Sequence, residues 1–195
     1  MLSYEESLRI LKETNALLEG HFILSSGLHS AQYVQCAQLL SKPHKSVNFC
    51  KSLAEKISNE LKEIDLILSP AMGGIIIGYE MGRLLKKDTI FSERVEGQFK
   101  LRRGFKILKR SKVLIVEDVI TTGKSSLECS KLVEIADAEV IGFACLIDRS
   151  NGGSSIDKKK MVSQIEINIP TYNKDFLPKN LISLPAIKPG SREFK

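Results

Sequence analysis

One segment constrains the fold of this 195-residue chain more than any other: Val113-Leu-Ile-Val-Glu-Asp-Val-Ile-Thr-Thr-Gly-Lys-Ser-Ser126. The apolar run from Lys112 to Glu117 reads as a buried strand. It ends in two adjacent carboxylates, Glu117 and Asp118, followed by a Thr-Thr-Gly-Lys-Ser loop. Behind the loop, Cys129, Leu132, Val133 and Ala136 recur at helical spacing. A strand that turns through glycine into a helix aims backbone N–H groups at the helix N-terminus, where an anion is stabilised. Thr121, Thr122, Ser125 and Ser126 add hydroxyl donors, and Gly123 lets the backbone approach a phosphate closely. The carboxylates suit sugar hydroxyls and would set negative charge near an electron-poor sugar carbon. Gly123-Lys124-Ser125 also matches the end of a Walker A loop. That pattern needs glycine where Asp118 stands, and a carboxylate there would repel a triphosphate.

The rest of the chain alternates helix and strand signals. Ser3-Tyr4-Glu5-Glu6 matches a capping box and, with Leu8 and Leu11, predicts a helix over 4–15. The stretch from Phe22 to Gln35 predicts two short extended pieces around Gly27. Pro43 opens a helix marked by Cys50, Leu53, Ala54, Ile57 and Leu61. Asp65 to Ser69 reads as a buried strand broken by Pro70-Ala-Met-Gly-Gly74, and Ile77, Met81, Leu84 and Leu85 mark the next helix. Thr89 to Ser92 is a weak strand and Val140 to Ile147 a buried one. Such alternation predicts an α/β fold with a parallel sheet flanked by helices on both faces. Ligands in such folds bind beyond the carboxyl ends of the strands, here after Ser69, Glu117 and Ile147. Ser150 to Ser155 is expected to be mobile from its composition, and the tail from Pro170 to wrap the domain irregularly.

A net charge of +6 suits an anionic ligand or a nucleic acid. No nucleic-acid motif accompanies it, and the one basic triplet, Lys158-Lys159-Lys160, reads as a solvated loop, so no nucleic-acid partner is expected. Cys36, Cys50, Cys129 and Cys145 make no metal-ligand spacing and suit a reduced interior. The N-terminus has neither a basic start nor an apolar signal core, and no apolar run approaches a membrane span, so a cytoplasmic protein is expected. No histidine is needed for catalysis; His21 and His29 suit the N-terminal region, and His44 is expected to be exposed.

Two further loops bear on chemistry. Two glycines in Ala71-Met72-Gly73-Gly74 can present N–H groups to an anion, though a plain strand-to-helix turn would read alike. Ser92 to Gly104 carries Arg94, Lys100, Arg102 and Arg103, which suits neutralisation of an anionic leaving group and equally a solvated hairpin.

Val116 to Ser125 resembles the signature by which type I phosphoribosyltransferases bind phosphoribosyl pyrophosphate (PRPP). The resemblance implies that Glu117 and Asp118 take the ribose hydroxyls and that Thr121, Thr122, Gly123, Lys124 and Ser125 hold the 5-phosphate, with Val119 and Ile120 completing the PRPP segment. It implies that Ala71, Met72, Gly73 and Gly74 hold pyrophosphate. The 92–104 segment resembles the mobile loop of orotate phosphoribosyltransferases, which implies Arg94 at PRPP and a catalytic role for Lys100 beside Glu117 and Asp118.

The likeness to the orotate phosphoribosyltransferases extends through Phe22, Ser26-Gly27, Ser30 and Tyr33, which look like their N-terminal hood. Ala144 to Arg149, Gly152-Gly153, Ile169 to Tyr172 and Lys188 to Arg192 carry it over nearly the whole chain. It implies one domain over 1–195, with the hood from about 1–40 plus part of the C-terminal segment and the core at about 43–170. It further implies orotate as acceptor in pyrimidine (UMP) biosynthesis, contacts to orotate from Thr121, Arg149 and Ser26, Mg2+ as cofactor without a dedicated protein ligand, and a homodimer. Arg149 follows a strand end, and its fork fits a carboxylate; Asp148-Arg149 alone would equally suit a surface ion pair. Ser25 and Met72-Gly73-Gly74 stand where many of these enzymes carry lysines, and the cationic loop differs in length, which leaves open which cation stabilises the leaving group. Another base as acceptor, or a non-enzymatic PRPP sensor of the same fold, are the alternatives.

Overall fold

Residues 1–24, 26–157 and 160–189 are described by the computed structural model. Ser25, Lys158 and Lys159 of the basic triplet, and the end of the Lys188 to Arg192 segment lie outside the described residues. At the start, the capping box forms: Ser3 Oγ accepts the Glu6 N–H and the Glu6 carboxylate accepts the Ser3 N–H. Helix α1 (Tyr4–Glu13) lays Leu11 into the core. Strands β1 (Leu17–Ile23) and β2 (His29–Val34) follow as an antiparallel pair on either side of Gly27. A short helix, α2 (Cys36–Leu40), was not legible in the sequence. Helix α3 (Pro43–Glu60) has Pro43 in its first turn, where the missing N–H breaks no helical bond.

The main sheet is built from β3 (Leu66–Pro70), β4 (Asp88–Val95), β5 (Gln98–Leu101), β6 (Lys112–Ile120), β7 (Glu139–Asp148) and β8 (Met161–Glu166), in the order β5-β4-β3-β6-β7-β8. All neighbours are parallel except the β4–β5 hairpin. Helix α4 (Gly74–Leu85) follows β3, and α5 (Lys124–Ile135) follows β6. Alternation along β6 divides the core. Leu114 and Val116 pack in one cluster with Phe49, Leu53 and Ile57 of α3 and Ile77 and Met81 of α4. Val113 and Ile115 pack in the other with Cys129 and Val133 of α5. Each such side chain, wholly removed from water, contributes about 1.5–3 kcal/mol. Leu114→Ala would therefore destabilise the fold by about 2–5 kcal/mol through the cavity it leaves.

The structure departs from the sequence reading at three places. Strand β6 does not stop at Glu117; pairing with β7 carries it to Ile120, so both carboxylates lie on the strand itself. The 92–104 segment, whose sequence suits a loop or a hairpin alike, contains the β4–β5 hairpin, turned at Glu96-Gly97 with φ of 50° and 81°, as a two-residue type I′ turn requires. Strand β8 went unread because Ser163 and Gln164 interrupt its apolar residues; Gln164 is buried and donates to Ser7 Oγ at 3.0 Å. The tail was expected to wrap irregularly. It includes a 3-10 turn (Lys174–Phe176), α6 (Lys179–Ile182) and strands β9 (Thr171–Tyr172) and β10 (Ala186–Ile187), which complete a second sheet in the order β10-β1-β2-β9. Among the described residues no helix is long and apolar enough to cross a membrane.

Candidate active site

Strands β3 and β6 lie side by side, yet the chain leaves β3 for β4 on one side and leaves β6 for β7 on the other. This reversal opens a crevice at their carboxyl ends, the place where open α/β sheets bind ligands. Loops 71–73 and 121–123 leave these two strand ends. The first lies close against β6: a Cβ on Gly73 would come within 2.8 Å of both carboxylate oxygens of Asp118. One on Gly74 would lie 3.1 Å from the Val116 carbonyl oxygen. Glycine at these positions lets the 71–74 backbone lie directly on β6. The Ala71–Met72 peptide is cis, and the Ala71 N–H donates to the Ser92 carbonyl at 2.8 Å.

Glu117 and Asp118 are successive strand residues, so they leave β6 on opposite faces. Glu117 turns toward α5, where its Oε2 accepts from Ser126 Oγ at 2.5 Å. Asp118 turns toward the 71–74 loop, and its Oδ1 accepts the Val119 N–H at 2.9 Å. Burial pushes the Glu117 carboxyl up to about 7; the Ser126 hydrogen bond opposes this and the neighbouring Asp118 charge adds to it. Burial also raises Asp118, against the pull of backbone N–H groups. Burial thus opposes ionisation of both acids, and a hydroxyl donor reaching either one would favour its ionised form.

Gly123 has φ of 76° and caps α5 without a side chain of its own, and the Lys124 N–H makes only a long bond to Thr122 Oγ1 at 3.4 Å. A Cβ there would meet Ser154 Oγ at 2.8 Å and Ile156 Cδ1 at 2.9 Å. Thr121, Thr122 and Lys124 are exposed and Ser125 is half-buried, so the loop is open to an anion. Ser126, grouped with these donors in the sequence reading, is wholly buried and faces Glu117 instead. The 150–155 segment lies beside this loop: the Ser155 N–H donates to the Thr122 carbonyl at 3.1 Å, and Ile156 is buried beneath Gly123.

Arg149 is joined to the same crevice through its N–H, which donates to the Ile120 carbonyl at 2.8 Å. Its Nε is buried and has no hydrogen-bond partner among the described residues, and burial lowers its affinity for the proton. Asp148 does not serve it as a surface partner; that carboxylate is buried and accepts the Ser150 N–H at 2.7 Å. A buried, unpaired guanidinium edge beside a strand end suits an anionic ligand. Ser26 lies in the exposed turn after β1, where its Oγ accepts the Leu28 N–H at 3.4 Å.

The hairpin cations are placed differently. Arg94 pairs with Glu128 of α5 at 2.6 Å and stacks over Phe99 at 4.2 Å. Arg102 and Arg103 both pair with Glu93. Among the described residues Lys100 pairs with Glu96 alone, at 3.7 Å and in solvent. The structure therefore brings together the 71–74 loop, Glu117, Asp118, the 121–125 loop and Arg149, while Arg94 and Lys100 are engaged within the hairpin and with α5. The residues that sequence reasoning missed are Ser126 in its inward role and Cys36, whose Sγ donates to the Asp118 carbonyl at 3.7 Å. Both depend on how α5 and α2 pack, which no local motif encodes.

The chain matches the model of the phosphoribosyl transferase domain over residues 37–176. It is 48% identical over 192 residues to an orotate phosphoribosyltransferase of Parvibaculum lavamentivorans, covering 98% of each chain. It is 50% identical over 190 residues to that of Sphingopyxis alaskensis, covering 96% of each. Among solved structures it resembles the orotate phosphoribosyltransferase of Aeropyrum pernix, with TM-score 0.70, 24% identity and coverage of 82% of this chain and 92% of that one. An adenine phosphoribosyltransferase of Thermoanaerobacter pseudethanolicus shares the fold at TM-score 0.61 and 18% identity, covering 70% and 88%. The fold thus does not distinguish the acceptor base, whereas the full-length sequence relatives do. By its domain match, its fold and its relatives, the chain belongs to the orotate phosphoribosyltransferase family of phosphoribosyl transferases.

Proposed function

We propose that the chain transfers the ribose 5-phosphate of PRPP to N1 of orotate, giving orotidine 5′-monophosphate and pyrophosphate, through the crevice between β3 and β6. The N1–C1′ bond forms as the C1′–O bond to pyrophosphate breaks; pyrophosphate leaves with the electron pair and the N1 proton is released. The observation that carries this reading is the close contact of the Gly73 backbone with the Asp118 carboxylate, on the strand that runs directly into the Gly123 turn. The reaction needs what these supply: acceptors for the ribose hydroxyls, N–H groups for pyrophosphate, and N–H groups for the 5-phosphate.

Glu117 and Asp118 orient the ribose and favour positive charge developing at C1′. Val119 and Ile120 carry the strand into the phosphate loop of Thr121, Thr122, Gly123, Lys124 and Ser125. Ala71, Met72, Gly73 and Gly74 hold the departing pyrophosphate, and Arg149, with Thr121 and Ser26, holds orotate. Lys100 is the leaving-group cation of choice, because an exposed ion pair at 3.7 Å holds it weakly, whereas Arg94 is both paired and stacked. Each acid already spends one oxygen on a protein donor and keeps Glu117 Oε1 and Asp118 Oδ2 for the ribose hydroxyls, so Mg2+ would be held on PRPP without a dedicated protein ligand. When bound, the ion neutralises charge building on pyrophosphate. In the homodimer expected of the family, the hairpin would act at the subunit boundary.

A panel of bases tests the assignment. With PRPP and magnesium, chromatography should show a nucleotide from orotate and none from adenine, hypoxanthine, guanine or uracil. A nucleotide from one of those bases, with none from orotate, would overturn it.

A further inference from the structure

We propose that Ser126 is a positioning residue for Glu117: its buried hydroxyl grips Oε2 and leaves Oε1 as the acceptor for a ribose hydroxyl of PRPP. This rests on the role proposed above for Glu117.

The geometry begins with the inward face of α5. Its buried positions are Ser126, Cys129, Ser130 and Val133, and this face covers the side of β6 that carries Val113, Ile115 and Glu117. Lower on the face, Cys129 and Val133 meet apolar strand residues. At the top the strand presents a carboxylate, and the helix meets it with a hydroxyl 2.5 Å away. An apolar residue at 126 would leave one oxygen of a largely buried acid without a partner. Ser126 is 0% exposed, so it is not a donor to a phosphate in the open loop above it.

The surroundings give Glu117 no other help. Asp118 on its own strand, Cys129 on α5 and Cys145 opposite it on β7 are the titratable groups around it, and none is a cation. Among the described residues Ser126 is its one hydrogen-bond donor. Of the influences on this acid, the Ser126 bond alone favours ionisation, against burial and Asp118. The ionised form is the better acceptor for a sugar hydroxyl. Ser126 therefore fixes the orientation of the carboxylate and widens the pH range over which it is ready for PRPP.

The test is calorimetric titration of PRPP, with magnesium present, into wild type, Ser126→Ala, Ser126→Cys and Glu117→Gln over about pH 6–9. Titration of PRPP itself is common to all four proteins and cancels in comparison. Wild-type affinity should rise with pH through about 7. In Ser126→Ala the midpoint should move up by about one pH unit, so that binding below it weakens about tenfold and recovers toward the alkaline end. Ser126→Cys keeps a weaker donor and should fall between, which preserves the test if the alanine variant folds poorly. In turnover, KM for PRPP should rise while kcat changes little. An unmoved midpoint in the Ala and Cys variants, with affinity either unchanged or lowered equally at every pH, would overturn the positioning role. Wild-type affinity in Glu117→Gln would instead remove the role of Glu117 on which the proposal rests.

Discussion

Replacing Glu117 with glutamine should stabilise the protein and disable it at the same time. Burial pushes this carboxyl from 4.5 to about 7, a rise of about 2.5. In the unfolded chain the group loses its proton near the ordinary value; in the folded chain it keeps it until about pH 7. Between those values the native state binds more protons than the unfolded state, so stability falls as pH rises and levels off above about 7. At roughly 1.4 kcal/mol per pH unit, the ionised side chain costs the fold about 3 kcal/mol at pH 8. Glutamine carries no charge to desolvate, and its amide oxygen can still accept from Ser126. Urea unfolding at fixed protein concentration should therefore show the two proteins nearly equal near pH 5. At pH 8 the variant should lead by about 2–3 kcal/mol. Orotate turnover in the same variant should drop by about two decades or more, because a neutral amide is a poorer acceptor for the ribose hydroxyl. A variant no more stable than wild type at pH 8 would refute the burial argument, and full activity would refute the functional one.

Three other substitutions probe separate parts of the crevice. Asp118→Asn should lower kcat by roughly two to three decades, the loss of about 2.7–4 kcal/mol typical of a positioned transition-state contact, read in steady-state turnover. Gly123→Ala meets both a left-handed backbone and contacts of 2.8–2.9 Å with Ser154 and Ile156. It should lose about 1–3 kcal/mol of stability by thermal melting and raise KM for PRPP at least tenfold. Arg149→Met should raise KM for orotate by about one to two decades, while calorimetric affinity for PRPP stays within about a factor of three.

The parts of this fold that were legible in the sequence share a cause: their signal is local. The capping box at Ser3, the proline opening α3 and the strand-loop-helix around Gly123 are each written in a few adjacent residues. The two acids Glu117 and Asp118 and the Thr-Thr-Gly-Lys-Ser stretch of 121–125 belong to this class, because they are adjacent in the chain. What escaped depends on pairing across the chain. Strand β6 is three residues longer than its apolar run because β7 supplies partners beyond Glu117. The cations of 92–104 suit a loop or a hairpin alike, and the pairing of β4 with β5 over the buried Phe99 decides for the hairpin. Glycine and serine content marks 150–155 as a loop, but not that it lies beside 121–125, where the Ser155 N–H donates to the Thr122 carbonyl and Ile156 is buried beneath Gly123. The inward turn of Ser126 is the same lesson at the site itself. Its hydroxyl looked like a phosphate donor until the packing of α5 on β6 turned it toward Glu117.

The most direct measurement is the absorbance loss of orotate with the purified protein, PRPP and magnesium, repeated with each component left out in turn. Turnover is expected only when all are present, with orotidine 5′-monophosphate and pyrophosphate formed in equal amounts. Intact protein that binds PRPP yet never consumes orotate would contradict the assignment and point to another acceptor base or to a sensing role for the same crevice.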